Sequence, residues 1–87
     1  MTHPELYYMI EVFKTNVEGS NEAAWLIGQM REIFSDYIIN FDLEDCDRIM
    51  RVKCDKGTID SETVIALLNT SGFAAEVLGD EIVPCPI

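Results

Sequence analysis

The sequence predicts an α+β domain in which two helices cover one face of a four-stranded antiparallel sheet. Three observations point there. Four short runs are rich in aromatic and β-branched residues, two amphipathic helical stripes lie between them, and the order along the chain is strand, helix, strand, strand, helix, strand. Eighty-seven residues suit one domain, with a core over about 6–78 and a tail over 79–87. A hydrophobic content of 48% is enough to fold such a chain and excludes a disordered one.

The first strand is expected over residues 6–14. Its alternating faces are both apolar, Tyr7, Met9 and Phe13 on one and Tyr8, Ile10 and Val12 on the other. A strand of that kind is normally central and covered on both sides. Ser20 or Asn21 is placed to cap the first helix, with Glu22 in its first turn where the helix dipole favours an acid. Ala23, Leu26, Ile27, Met30, Ile33 and Phe34 form its buried stripe. Trp25 falls off the centre of that stripe, towards Gln29 and Glu32, either as a ring along the helix shoulder or as a contact for a partner.

Ser35 and Asp36 end the helix. Residues 37–43 read as the second strand, with Tyr37, Ile39, Phe41 and Leu43 on one face and Ile38, Asn40 and Asp42 on the other. Residues 44–47 form a polar turn, and residues 48–54 return with Met50, Val52 and Cys54 alternating against Ile49, Arg51 and Lys53, which makes a hairpin. After a loop over 55–58, Asp60 is the cap of the second helix and Ile59 packs on Val64 as a hydrophobic staple. Val64, Leu67, Leu68 and Ser71 supply its stripe, Gly72 its left-handed terminator, and Phe73 folds back on Leu68. Residues 73–78 are the last strand. The tail beyond, with Pro84 and Pro86, is not expected to extend it far.

Strand-helix-strand units cross over with a right hand. The resulting arrangement is a ferredoxin-like β-α-β-β-α-β sandwich with sheet order 4-1-3-2. Both helix stripes need the same sheet face, so the opposite face is left bare.

At this point the residues resemble a known family over roughly 8–78. The run Phe13-Lys14-Thr15-Asn16-Val17 before the loop, Asn40-Phe41-Asp42-Leu43 in the second strand, and Gly72-Phe73-Ala74-Ala75-Glu76-Val77-Leu78 at the end are similar to a heavy-metal-associated domain. That is the fold of small copper chaperones and of the metal-binding domains of copper-transporting P-type ATPases. The resemblance implies a Met-x-Cys-x-x-Cys motif in the first loop. Counted without gaps from Asp42, the methionine position falls on Val17 and the two cysteine positions on Gly19 and Glu22. Two thiolates at that spacing clasp Cu(I) or zinc; a glycine supplies no ligand and one carboxylate is a poor one for a soft ion. The resemblance therefore implies the fold with the soft-metal site lost, and neither a metal nor any other cofactor is expected.

Other residues do not replace it. Cys46 lies in the hairpin turn and Cys54 at the far end of the same hairpin, roughly 25 Å away if extended, so they share no ion. Cys85 lies in the tail, where it could approach either, but the three read as ordinary small apolar residues; His3, the single histidine, lies near the N-terminus. Asn16, Glu18 and Glu22 offer few oxygens for a hard cation such as calcium or magnesium, and read as a solvated loop capping a helix. One near-terminal histidine assembles no Ser-His-Asp or Cys-His site, and Gly19 and Gly28 match no phosphate loop, so no catalytic residue is expected.

The net charge of −10 disfavours nucleic acid and anionic membrane. No apolar run approaches a membrane span, no secretory signal is visible, and three cysteines without C-x-x-C spacing suit reduced thiols in the cytoplasm. What remains is a non-enzymatic binding module acting through protein contact or self-association. The interface candidates are Tyr8, Ile10, Val12, Ile38 and Ile49 on the bare sheet face, shielded by a second chain, a partner or the tail with Ile82, Val83 and Ile87. The alternative is a heavy-metal binding or trafficking protein with an altered site.

Overall fold

The computed structural model describes residues 7–54 and 58–84, with side chains over 9–54 and 58–78. The elements are β1 (Tyr7–Thr15), α1 (Ser20–Ile33), β2 (Tyr37–Asp42), β3 (Ile49–Cys54), α2 (Ser61–Thr70) and β4 (Ala75–Pro84). The sheet runs β2-β3-β1-β4 with every neighbouring pair antiparallel. This is the ferredoxin-like α+β arrangement, in the strand order that the sequence predicts.

Strand alternation sorts the sheet into two faces, because cross-strand partners share a face. Phe13 pairs with Met50, which pairs with Phe41; one step along, Glu11 pairs with Val52 and Val52 with Ile39. Phe13, Met50 and Val52 are fully buried and form one core with Leu26 and Met30 of α1 and Val64 and Leu68 of α2. Each such side chain withdrawn from water contributes on the order of 1.5–3 kcal/mol. Val17, in the loop after β1, is also fully buried in this core.

The helix termini carry much of the local specification. Asp60 is the N-cap of α2: its carboxylate accepts the Thr63 hydroxyl at 2.7 Å and the Thr63 N–H at 3.2 Å. Ile59 and Val64, the staple pair, are both buried. At the other end Gly72, with φ of 94°, lets Phe73 N–H bond to Leu68 O at 2.9 Å and Gly72 N–H to Asn69 O at 3.1 Å. That is a Schellman termination, and it aims the chain into β4.

The Thr63 hydroxyl, and after it the Thr63 backbone N–H, hold the Asp60 pKa below its ordinary value of 3.8. A carboxyl with a depressed folded-state pKa stabilises fully above its unfolded value and loses that contribution as pH falls through the folded one. Asp60→Ala is therefore expected to lower the melting temperature at pH 7. The gap to the natural chain should close as both are taken below about pH 3. A gap that is constant from pH 7 to pH 2 would show that the ionised cap is not what stabilises this terminus.

Four details depart from the sequence expectations. α1 begins at Ser20 with Gly19 as its N-cap, one residue before the expected Ser20 or Asn21. Glu22 explains the choice, since its Oε1 accepts the Gly19 N–H at 2.9 Å and stabilises that starting point. Ile33 lies outside the buried stripe at 58% exposure, while the Phe34 ring stacks on Tyr37 with centroids 4.5 Å apart. Residues 79–84 are not a tail: they continue β4 and pair with residues 7–12 of β1. An edge strand tolerates Pro84 at its end, and a bulge opposite Val12 and Phe13 takes up Leu78 as the extra residue. Finally, Glu11, a charged residue in an otherwise apolar strand, stands on the helix-covered face of β1, buried to 5% exposure.

Candidate functional site: the first loop and the outward sheet face

Residues 16–19 join β1 to α1, and most of the polar groups from there through Glu22 in the first turn of the helix serve the fold. Asn16 bridges to the start of β4: its Oδ1 accepts the Ala74 N–H at 2.8 Å and its N–H bonds to Ala74 O at 3.3 Å. Thr15, which is buried, donates its hydroxyl to Arg48 O at 2.6 Å and accepts the Val17 N–H at 3.2 Å. These bonds point the Val17 side chain into the core. Gly19 and Glu22, where the resemblance expects the two motif cysteines, are tied to one another by the cap bond. Glu18 is exposed. Two of the loop's side-chain oxygens, Asn16 Oδ1 and Glu22 Oε1, thus already accept backbone N–H groups.

Thr15 N–H also bonds to Asp47 O at 3.1 Å, which brings the β2–β3 turn against the end of β1. The turn is closed by Arg48, at φ 48°, whose Nη1 donates to Leu43 O at 2.7 Å. Within it Asp45, Cys46 and Asp47 place one ligand atom each within 4.8 Å of one another. Sequence reasoning read this stretch only as a polar turn. The groups have local duties: Asp45 Oδ1 accepts the Asp47 N–H at 2.9 Å, and the Asp47 carboxylate lies 3.8 Å from Lys14 Nζ. Cys54 is buried at the opposite end of β3. His3 and Cys85 lie outside the described residues. Between α1 and the end of β2 there is an open cleft of about 480 Å³, lined by Ala23, Ala24 and Ile27 on one side and residues 40–44 on the other.

The outward sheet face is set by register. Across β2, β3, β1 and β4 its three rows read Ile38, Lys53, Ile10, Glu81; then Asn40, Arg51, Val12, Gly79; then Asp42, Ile49, Lys14, Glu76. The five interface candidates all occupy this face, Tyr8 one row further along β1 beside Val83, its side chain outside the description. Their exposure differs. Ile38 is 57% exposed, Ile10 and Val12 are half-buried, and Ile49 is 5% exposed.

Ile49 is thus the least exposed of the candidates whose side chains are described. It sits between Asp42 and Lys14 at the hairpin end, where Lys14 leans to Asp47 and the turn is bonded back to β1, and little of it is left to offer a partner. The face is also less apolar than five isolated candidates suggest, because Arg51 and Lys53 stand directly beside Val12 and Ile10. Sequence reasoning placed Arg51 and Lys53 on the face of Ile49 without weighing their charge, and it passed over Glu11, although alternation alone places Glu11 with Met9 and Phe13. No family model, curated protein or solved structure matches the chain.

Proposed function

We propose that the chain is a non-enzymatic binding module of the heavy-metal-associated type whose soft-metal positions have become Gly19 and Glu22, and that it acts by protein contact through its outward sheet face. The observation that carries this reading is the one-sided sheet. Both helices pack on the face of Phe13, Met50 and Val52, and among the described residues no element lies over Ile10, Val12 and Ile38. Exposed apolar groups side by side mark interaction surfaces. The cap bond between Gly19 and Glu22 supports the other half, since it shows these positions working as a helix start. Reduced thiols suit a cytoplasmic setting, and no helix among the described residues is long and apolar enough to cross a membrane.

Two measurements test the reading. Protein purified under reducing conditions should carry no stoichiometric copper or zinc; one equivalent of either favours a metal-handling role instead. In affinity capture from the cells that make the protein, Ile10→Asp should lose what the natural chain retains. Trp25→Ala, on the helix side where Trp25 is 53% exposed, should keep it. Equal retention by all three chains would rule out the sheet face as the working surface.

A further inference from the structure

The geometry points to a second working surface, separate from the sheet face: the outer edge of β2 takes an extended segment of a partner protein as an added antiparallel strand, with a basic residue at the segment's N-terminal end. β2 is the last strand on its side of the sheet, and among the described residues no strand pairs with its outer edge. Along an antiparallel pair, residues alternate between bonding to the neighbour and turning their N–H and C=O away from it. Tyr37 turns away from β3, since its N–H bonds to Phe34 O at 3.2 Å. Alternation then turns the N–H and C=O of Ile39 and Phe41 to the open edge as well, and among the described residues no turn, loop or cap bond reaches them. A row of unpaired main-chain donors and acceptors is complementary to one kind of occupant, another extended backbone.

The edge is also unguarded. Proteins blunt free edges with proline, charge or a bulge. The opposite edge, β4, carries Gly79, Pro84 and a register shift opposite Val12 and Phe13. β2 has an unbroken register with β3, no proline, and no charge before Asp42. On the helix side its edge opens into two hollows that meet at Ile27. The cleft of about 480 Å³ lies against Ala23, Ala24 and Phe41, and a second hollow, of about 270 Å³, lies against Arg31 and Ile39. Residues of an added strand opposite Phe41 and Ile39 share their face, so apolar side chains at those two positions enter the two hollows.

Charge sets the direction. Asp42 and Glu44 line the cleft at the far end of β2, and among the described residues neither has an ion-pair partner. The cations of that corner are engaged, Arg48 with Leu43 O and Lys14 with Asp47. Glu22 meets the positive N-terminus of α1. At the other end of β2, Lys53 stands beside Ile38, and Arg31 and Asp36 offset one another in sign. A basic residue therefore belongs opposite Asp42. In an antiparallel addition, the form every other pair of this sheet takes, that residue comes just before the one opposite Phe41.

The probe is the peptide acetyl-Thr-Lys-Val-Thr-Val-Thr-Thr-amide, whose lysine falls opposite Asp42 and whose valines fall opposite Phe41 and Ile39. Titrated into the isotope-labelled full chain, it should bind with a Kd of about 10–500 μM, shift the amide resonances of Ile39 and Phe41 and slow their hydrogen exchange. The reversed peptide has the same composition but sets its lysine opposite Ile38, beside Lys53, and should bind about fivefold more weakly. Methylating both valine nitrogens removes the donors that face the edge and should weaken binding at least about tenfold. Asp42→Lys should weaken the lysine peptide about fivefold and favour the same peptide with glutamate in place of lysine. Circular dichroism checks that this variant keeps the fold.

No binding at about 1 mM overturns the inference. So does an N-methylated peptide that binds equally well, or a set of shifts centred on Glu76 and Val77 at the opposite edge. Equal binding of the peptide and its reverse overturns the direction that Asp42 sets. Ile39 and Phe41 amides that exchange slowly in the concentrated chain alone, and faster on dilution, make the occupant a second copy and overturn the partner segment. None of these readouts involves Ile10 or Val12, so the sheet-face reading stands or falls on its own measurements.

Discussion

Replacing Gly19 and Glu22 together by cysteine is expected to give a chain that retains one equivalent of Cu(I) through desalting, in a titration where the natural chain retains none. The positions are already within reach of one another, because Glu22 Oε1 accepts the Gly19 N–H at 2.9 Å. Gly19 has φ −105° and ψ 146°, extended backbone that any residue adopts. A Cβ added there meets only the Glu22 carboxylate, Oε1 at 2.9 Å and Cδ at 3.7 Å, and the second substitution removes both atoms. Thiols at a helix N-terminus ionise readily, and the thiolate is the ligand a soft ion takes. The loss of the Glu22 cap costs about 1 kcal/mol, small against what two thiolates gain from a soft ion. Binding is read by metal analysis after gel filtration, with each single variant as control. A folded double variant that holds no metal would break the correspondence between this loop and the Met-x-Cys-x-x-Cys loop.

Phe13→Ala is expected to bring the domain close to unfolding, while Ile10→Asp, three residues earlier on the same strand, leaves it folded. Phe13 is fully buried between Met50 and both helices. Truncating a buried phenylalanine costs about 3–5 kcal/mol, against roughly 5–15 kcal/mol for the whole stability of an ordinary domain. Ile10 points to the other face, where a carboxylate keeps access to water. Urea denaturation of both variants reads the difference. An Ile10→Asp chain as damaged as Phe13→Ala would mean that Ile10 belongs to the helix-facing core.

The parts of the fold that were legible are those fixed by short-range chemistry. Met50, Val52 and Cys54 alternate cleanly and all three are buried. Asp60 and Gly72 do what a capping acid and a left-handed glycine do. What was illegible depends on partners distant in sequence. Gly79, Asp80, Glu81 and Pro84 look like strand breakers, yet β1 pairs with all of them and makes them strand. Glu11 reads as a polar residue in an apolar strand; alternation puts it with Met9 and Phe13, but how deeply it is buried there depends on the assembled sheet.

The candidate surface was half legible for the same reason. Alternation assigned Ile10, Val12, Ile38 and Ile49 to one face correctly. How much of each is exposed depends on the turn bonded across β1 and on Arg51 and Lys53 arriving from β3. In the loop, the identities of Gly19 and Glu22 were visible as letters. Their bond to one another was not.

The pairing of Tyr7 with Pro84 has a mechanical consequence. The first described strand and the last lie side by side with their outer ends at the same corner of the sheet. Tension applied through the two ends of the chain therefore pulls β4 away from β1 sideways. Ladder hydrogen bonds in an antiparallel pair run perpendicular to the strands, so such a load meets them one pair at a time rather than all in parallel. The sheet should peel from that corner at low force, first through the six pairs down to Val12 and Gly79. The bulge at Leu78, where the register shifts, is the first place the peeling front meets a change in the ladder. Beyond it lie Phe13 and the fully buried core, so the domain is built to yield at its rim before its centre.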